Sequence, residues 1–399
     1  MNAHEENSGN MPAALQQAAE PGPQGAPVGG DDSPQLSAVL AARVAAQITA
    51  SGGWWPFSRF MAAALYEPGL GYYNRGAAVF GPGPAGGSDF TTAPELSPLF
   101  GQALARQVQQ ALVAADSRTV FEFGAGSGVL AEQLLAALPA DTEYRIVDLS
   151  GALRQRQAER LRAFTPRVQW LDELPATLTG VVVGNEVLDA MPVELLHFDG
   201  QAWFERGVVV NAADGGFAWS DRPTALRPPA TAVPWVPGTV TEVHPQAEAF
   251  ITTLAERLQR GAAFFIDYGF PEAEYYHPQR HMGTLVCHRA HRTEVAADAP
   301  LQDIGCKDIT AHVNFSSVAL AGQAAGLDVL GYTSQAHALM NCGLLDLLQG
   351  ADARTVANAQ KLLTEHEMGE LFKVVGFARG LPADFEALAF RRGDRSHTL

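Results

Sequence analysis

A strand that runs straight into three glycines spaced two apart constrains this chain more than any other feature. Residues 121–128 read Phe-Glu-Phe-Gly-Ala-Gly-Ser-Gly. The apolar stretch Thr119 to Phe123 predicts a short strand, and Gly124, Gly126 and Gly128 predict a tight turn. An amphipathic helix should follow, with Leu130, Leu134, Leu135 and Leu138 on one side. Twenty residues beyond Gly128, a second strand, Tyr144 to Val147, ends in Asp148. Strand, glycine turn, helix, strand and terminal acid are the pattern of the nucleotide-binding half of a Rossmann-like α/β fold.

The details of the turn separate two cofactors. A dinucleotide fingerprint is G-x-G-x-x-G, whose third glycine lets the helix pack on the strand. Here Val129 holds that position and the third glycine comes one residue early. Glu122 adds a carboxylate beside the cradle, which would repel a diphosphate. A cofactor with an ammonium and a sulfonium would not be repelled, so S-adenosylmethionine is expected rather than NAD. Gly124, Ala125, Gly126 and Gly128 would let backbone approach it, and Asp148, followed by Leu149, would accept from the ribose hydroxyls. A tight turn with no ligand is the plain alternative.

The 399 residues suffice for a sizeable core and two or three subdomains. With 27 basic against 43 acidic residues the net charge is −16, so nucleic acid and anionic membrane are poor partners. No apolar run is long enough to span a bilayer, so no membrane insertion is expected. Cys287, Cys306 and Cys342 are odd in number and far apart, which suits a reducing compartment. Residues 1–35 contain no Lys or Arg and read as a disordered tail, neither a secretory signal nor an Arg-rich transit peptide. Bacterial cytoplasm is the expected location.

Residues 36–115 read as an N-terminal helical cap and lid loop: a helix over 36–51, another opened by Pro56, a loop from Tyr66 to Pro94, and a helix from Glu95 to Ala114. The first part of the core, 116–193, adds a helix over 152–164 and strands at Val168 to Trp170 and Val181 to Val183. Residues 194–245 alternate and carry hairpin signals at Asp199-Gly200 and Asp214-Gly215, which predicts an inserted antiparallel β element. Residues 246–380 complete the core, with a helix over 246–259, a strand from Ala262 to Ile266, and a mostly helical C-terminal region. That region also holds strands near 327–332 and 371–377, and 381–399 reads as a polar tail.

In an open parallel sheet, ligands bind beyond the carboxyl ends of the strands. Four expected strand ends carry polar groups: Glu122, Asp148, Asn185-Glu186 and Asp267-Tyr268. Glu186 and Asp189 are three residues apart and can share one face of a helical turn. Such a pair could grip a guanidinium or an amine, because carboxylates bind arginine bidentately. Glu194 is a third acid that could belong to the same loop. Alternatively, Asp189 caps a short helix stopped by Pro192. His277, His281, Cys287, His288 and His291 suggest a metal, but they lack a paired C-x-x-C and flank an expected strand, Thr284 to Val286, so none is expected.

Several segments together resemble one known family. They are Tyr66 to Tyr73, Asp89 to Ser97 with Phe100-Gly101, Glu122 to Gly128, Asn185 to Val193 and Ile266 to Gly269. Gly283 to Leu285, Asp308 to Val313 with Phe315, and Met368 to Lys373 extend the match over about 40–380. In these the chain is similar to the MidA-like S-adenosylmethionine-dependent methyltransferases, a family that includes the mitochondrial complex I assembly methyltransferase. The resemblance implies a Rossmann-like, seven-strand class I methyltransferase core with an N-terminal helical cap, and as acceptor a protein arginine, such as one in a respiratory complex I subunit. Carried over by position, Glu122, Gly124, Gly126 and Asp148 would hold the cofactor, joined by Asn185. The segment with Asp89, Thr91 and Thr92 would close over the site. Glu186 and Asp189 would face the acceptor as catalytic groups, with Glu194, Asp267, Tyr268 and Tyr73 around it. Three positions depart from the family: Ser88 where Gly is usual, Asp148 where Glu is usual, and Gly184 where Ala or Ser is common. A noncatalytic assembly factor and a small-molecule O- or N-methyltransferase are the competing functions, and oligomeric state is not legible.

Overall fold

The computed structural model describes residues 33–74, 91–148, 150–289 and 292–399. Most of the expected N-terminal tail, together with Ser88, Asp89, Leu149 and His291, lies outside the described residues. The described chain begins with α1 (Ser33–Ala50) and α2 (Phe57–Tyr66). Leu40, Val44 and Ile48 recur every four residues on α1 and are fully buried. Pro56 caps α2 in an extended conformation, as its fixed φ and missing N–H allow. The single helix expected from Glu95 is two: a one-turn helix, Ala93–Leu96, and then α3 (Pro98–Ala115). Ser97 between them is extended, because the Pro98 ring disfavours helical backbone in the residue before it. Its hydroxyl then accepts the Leu99 N–H and caps α3.

The core follows as β1 (Thr119–Phe123), α4 (Val129–Ala137), β2 (Glu143–Val147), α5 (Gly151–Arg160), β3 (Val168–Leu171) and β4 (Leu178–Asn185). An excursion contains β5 (Glu194–Phe198), β6 (Trp203–Val210), β7 (Phe217–Pro223) and β8 (Val240–Val243). The chain returns through α6 (Pro245–Arg257) to β9 (Leu258–Phe270), then a small sheet of β10 (Val286–Arg289), β11 (Arg292–Glu294) and β12 (Asp308–Thr310). It ends through α7 (Phe315–Ala324), β13 (Asp328–Ser334), α8 (Gln335–Asn341), α9 (Ala353–Leu363) and β14 (Phe372–Arg379).

The main sheet runs β13-β14-β9-β4-β1-β2-β3, with a two-residue strand, Val313–Asn314, on the end of β9. Strands β9, β4, β1, β2 and β3 run parallel to one another, while β14 is antiparallel to both β9 and β13. Both faces are covered, so Val181, Val182 and Val183 form one continuous apolar run instead of alternating with polar residues. Strand period sends Val120, Tyr144 and Ile146 to a core shared with α3 and α4. Phe121 and Phe123 go to the opposite core, against α6 and α7.

The excursion forms a separate antiparallel sheet, in which β6 pairs with β5, β7 and the short strand Trp55–Pro56, and β5 pairs with β8. A third core joins this sheet to α1, α2 and residues near 299–311. Gly207 is required there: a Cβ would lie 2.1 Å from the Trp55 carbonyl oxygen.

Two further expectations shift. The strand expected at Thr284 to Val286 starts instead at Val286, because the Thr284 and Leu285 N–H groups are spent on the buried Glu242 carboxylate at 2.8 and 3.0 Å. Residues 381–399, read as a polar tail, fold back on the sheet. Phe390 is buried beside Phe264, and Asp394 accepts the Tyr332 N–H at 2.9 Å. Among the described residues no helix is long and apolar enough to cross a membrane.

Candidate functional site

Beyond β1 the three glycines take φ of +60°, +53° and +79°, backbone that residues with a Cβ rarely adopt. Gly124 donates to the Val147 carbonyl at 3.2 Å, and Gly128 opens α4 as its N-cap. A Cβ at Gly124 would stand 3.0 Å from Val187 Cγ2, so the turn also makes room for the loop after β4. Asp148 follows β2 and is buried. Its Oδ1 accepts the Ser150 N–H at 2.9 Å, and its Oδ2 accepts from Gln157 Nε2 at 2.7 Å. Burial pushes this carboxyl above its usual range, while Ser150, Gln157 and Arg154 pull it back. Gln157 also donates to the Gly126 carbonyl at 3.0 Å, a contact that the sequence did not signal.

Glu122, expected beside the cofactor, is the penultimate residue of β1, just before the glycine turn. Strand alternation sends it to the face of Val120, and it is 2% exposed. It accepts the Tyr144 hydroxyl at 2.8 Å. Burial pushes its carboxyl up to about 8, against the pull of that hydrogen bond. The structure makes it a neutral-leaning buried acid that joins β1 to β2.

Strand β4 ends at Asn185, and Glu186 then adopts φ +54°, a strained position for a residue with a Cβ. The Glu186 N–H donates to the Ile266 carbonyl at 2.9 Å, which pins the turn to β9. The next three N–H groups, of Val187, Leu188 and Asp189, all donate to Asp267 Oδ2 at 3.1, 2.9 and 3.2 Å. Asp267 Oδ1 takes the Tyr268 N–H at 2.9 Å. Asp267 is thus completely buried and committed to shaping the turn, not free for a substrate as expected. Burial, with Asp189 and Glu186 close by, holds its carboxyl well above the usual range.

The turn presents Glu186 and Asp189. Asn185 Nδ2 donates to Glu186 Oε1 at 3.0 Å, and the Ala93 N–H also bonds Glu186. Burial and then Asp189 push Glu186 up to about 8. Burial pushes Asp189 up to about 6, opposed by the Tyr268 hydroxyl. Asn185 Oδ1 and Asp189 Oδ1 are buried and lack a hydrogen-bond partner. Among the described residues no Lys or Arg pairs with Glu186, Asp189 or Asp267. From the end of α2, Tyr66 donates to the Ala190 carbonyl at 2.9 Å and stacks on Tyr73 at 5.6 Å between ring centres. Tyr73 in turn donates to Asp308 at 2.9 and 3.0 Å. Glu194 does not join this cluster. Pro192 and Val193 lead the chain away into β5, where Glu194 Oε1 accepts the Ser58 hydroxyl at 2.6 Å.

Residues 91–101 link the Glu186 turn to the glycine turn. Thr92, buried, precedes the one-turn helix, whose Glu95 accepts the Ser127 hydroxyl of the glycine turn. Gln133 of α4 donates to the Pro94 carbonyl at 2.8 Å and accepts the Gly101 N–H at 2.9 Å. Glu95, Gln133, Gln157 and Asp308 are the members that sequence reasoning did not place here. A cleft of about 550 Å³ lies on Ser127, Glu132, Gln155, Arg156, Glu159 and Arg160, and no acid of the cluster lines it. The described residues contain no group of three or more His, Cys, Asp or Glu that could hold a metal ion.

Comparison with known proteins adds three findings. The family model described as "Putative S-adenosyl-L-methionine-dependent methyltransferase" matches residues 101–333. A crystal structure from Burkholderia thailandensis, bound to S-adenosyl-homocysteine, is 53% identical. The match covers 94% of this chain and 100% of that one with a TM-score of 0.88. The mitochondrial protein arginine methyltransferase NDUFAF7 homolog of Caenorhabditis elegans is 26% identical over 65% of this chain and 66% of its own length. Its Danio rerio relative is 25% identical over 86% and 87%.

Proposed function

Because the chain belongs to the MidA-like family of S-adenosyl-L-methionine-dependent methyltransferases, we propose that it methylates an arginine of a protein acceptor. The observation that carries the reading is the pair Glu186 and Asp189, held on one braced turn with Asp189 Oδ1 unpartnered. Buried acids without a cation of their own are suited to receive one. The sheet order, with β14 antiparallel between β9 and β13, supports a class I methyltransferase core. The cap tyrosines Tyr66 and Tyr73, with Tyr268, would wall the acceptor site.

The residues present fit S-adenosylmethionine. The glycine turn offers backbone free of side chains, Asp148 retains lone pairs for ribose hydroxyls, and the unpartnered Asn185 Oδ1 suits an ammonium. When bound, this cofactor supplies an electrophilic methyl group on a sulfonium. The chain's own residues then do the rest. Glu186 and Asp189 accept guanidinium N–H groups, fix its plane, and bias lone-pair density onto the attacking nitrogen. Their task is orientation within a site that excludes water, because arginine stays protonated before transfer. Asp189 Oδ1 would take the proton that the methylated nitrogen sheds. A respiratory complex I subunit is the acceptor that the resemblance favours.

Calorimetric titration with S-adenosylmethionine, with NADH as control, tests the cofactor. Binding of the former alone is expected, followed by methylarginine on the acceptor by mass spectrometry. Binding of neither would turn the reading toward a noncatalytic partner-binding protein, and methyl transfer to a small molecule alone would replace the acceptor.

A further inference from the structure

We propose that Gln157 is the positioning residue for recognition of the cofactor's ribose: it locks the Asp148 carboxylate to the glycine turn, so both meet the cofactor as one preformed unit. The inference rests on the S-adenosylmethionine reading above.

Gln157 lies in a polar run, Arg154-Gln155-Arg156-Gln157, whose other members keep contact with solvent, yet none of its own surface is exposed. Glutamine is seldom buried so fully without a purpose for its amide. Three groups surround that amide. Trp170 Nε1 meets Oε1 at 2.9 Å, while the Gly126 carbonyl and Asp148 Oδ2 meet Nε2 at 3.0 and 2.7 Å. An indole N–H only donates, and a carbonyl and a carboxylate only accept. The orientation of the amide is therefore dictated by its neighbours. Glutamate here would face two acceptors with an anion, and leucine would leave the indole N–H and both acceptors unmet.

The neighbours of Gln157 on α5 repeat the pattern. Arg154 donates through Nε and a terminal nitrogen to the Asp148 carbonyl at 3.1 and 2.9 Å. Arg160 donates through Nε to the Ser127 carbonyl at 2.9 Å. Residues 154, 157 and 160 are spaced by three and share one helix face. That face grips the glycine turn at Gly126 and Ser127 and the acid at Asp148. Only Gln157 touches both. With Oδ1 held by Ser150 and Oδ2 by Gln157, the carboxylate is fixed before any ligand arrives, and each oxygen keeps a lone pair for a ribose hydroxyl. Such preorganisation raises affinity by removing the cost of ordering on binding.

The test is titration of S-adenosylhomocysteine into the wild type, Gln157→Leu and Gln157→Glu, each also made in an Asp148→Ala background. In the native background both substitutions are expected to weaken binding about tenfold or more. Without Asp148 the same changes should matter by less than about twofold, since the group they position is gone. In turnover assays the cofactor KM should rise while kcat holds. Gln157→Glu keeps the size of the side chain and the Trp170 partner, so it reads the effect if the leucine variant fails to fold. Equal penalties in the two backgrounds, or wild-type affinity in a folded single variant, overturn the proposal. A wild type that binds no S-adenosylhomocysteine overturns the cofactor reading instead.

Discussion

Glu122 and Glu186 show how one residue type serves two ends. Burial pushes both carboxyls up to about 8, yet Glu122 is closed off against Tyr144 and Glu186 stands in a strained turn beside Asp189. A carboxyl raised on folding binds its proton more tightly in the folded chain than in the unfolded one. Its contribution to stability is complete below the ordinary value of 4.5 and is lost as pH rises toward about 8. The share of the melting temperature that Glu122 contributes should therefore fall between pH 5 and pH 8, against the opposite trend of His244 and His312, which burial pushes down to about 4. Glu122→Gln should flatten that fall and melt no lower than the wild type at pH 8, because an amide oxygen can still accept the Tyr144 hydroxyl. A lower melting point at pH 8 would show that the ionised acid is needed. Glu186→Gln has a different signature: turnover should drop by about 10- to 1,000-fold with cofactor affinity nearly unchanged. Asp148→Ala should do the reverse and weaken cofactor binding about tenfold or more. Calorimetry and initial rates on the two variants separate the roles, and equal turnover for Glu186→Gln would remove it from the chemistry.

At the scale of elements, what was legible in the sequence followed from short-range periodicity. The run from Thr119 through three glycines to Asp148 carries strand, turn, helix and strand in local patterns, and the structure builds them over the expected residues. What was not legible depends on contacts between distant segments. Nothing near Asp267 says that its carboxylate will collect three N–H groups from a turn about 80 residues earlier. Nothing near Gln157 says that a polar helix will turn one amide inward. The shift of a strand from Thr284 to Val286 has the same origin, in Glu242 on another sheet. Gly184, where the resembled family commonly has Ala or Ser, also becomes intelligible between elements. A Cβ there would lie 2.8 Å from Cδ1 of Phe265, which packs from the neighbouring β9. Gly184→Ala should thus cost about 1–3 kcal/mol in denaturant unfolding. A smaller residue at 265, as in Phe265→Leu, should return part of that loss in the double variant, and strictly additive losses would mean that the ring is not the obstacle.

At the scale of the whole molecule, composition misled most at the C-terminus. Residues 381–399 hold Arg391, Arg392, Asp394 and Arg395 and read as a polar tail, but Phe390, Asp394 and Arg395 are spent on the sheet and the turn of helix beside it. Phe390 fills the space that two glycines leave: a Cβ at Gly331 or Gly376 would come within 2.3 or 2.5 Å of its ring. Its ring stacks on Phe264 of β9, 6.5 Å between centres. Beyond it, Asp394 satisfies the Tyr332 N–H, the Gly393 carbonyl accepts the Thr333 hydroxyl at 2.6 Å, and Arg395 pairs with both oxygens of Glu370 at 2.6 and 3.0 Å. The last residues thus cover the edge formed by β13 and β14, the far side of the sheet from the glycine turn. Removing them would uncover apolar strand surface, leave the Tyr332 N–H without its acceptor, and leave Glu370 with Lys373 alone. A chain ending at Gly380 should melt well below the full chain, and Phe390→Ala alone should cost about 3–5 kcal/mol. A true tail would make both changes silent. The distinction bears on function as well, because β9 carries Asp267, the brace of the Glu186 turn. Loss of the C-terminal cover should therefore lower turnover at temperatures where the truncated chain is still folded, measured against the same chain with residues 381–399 intact.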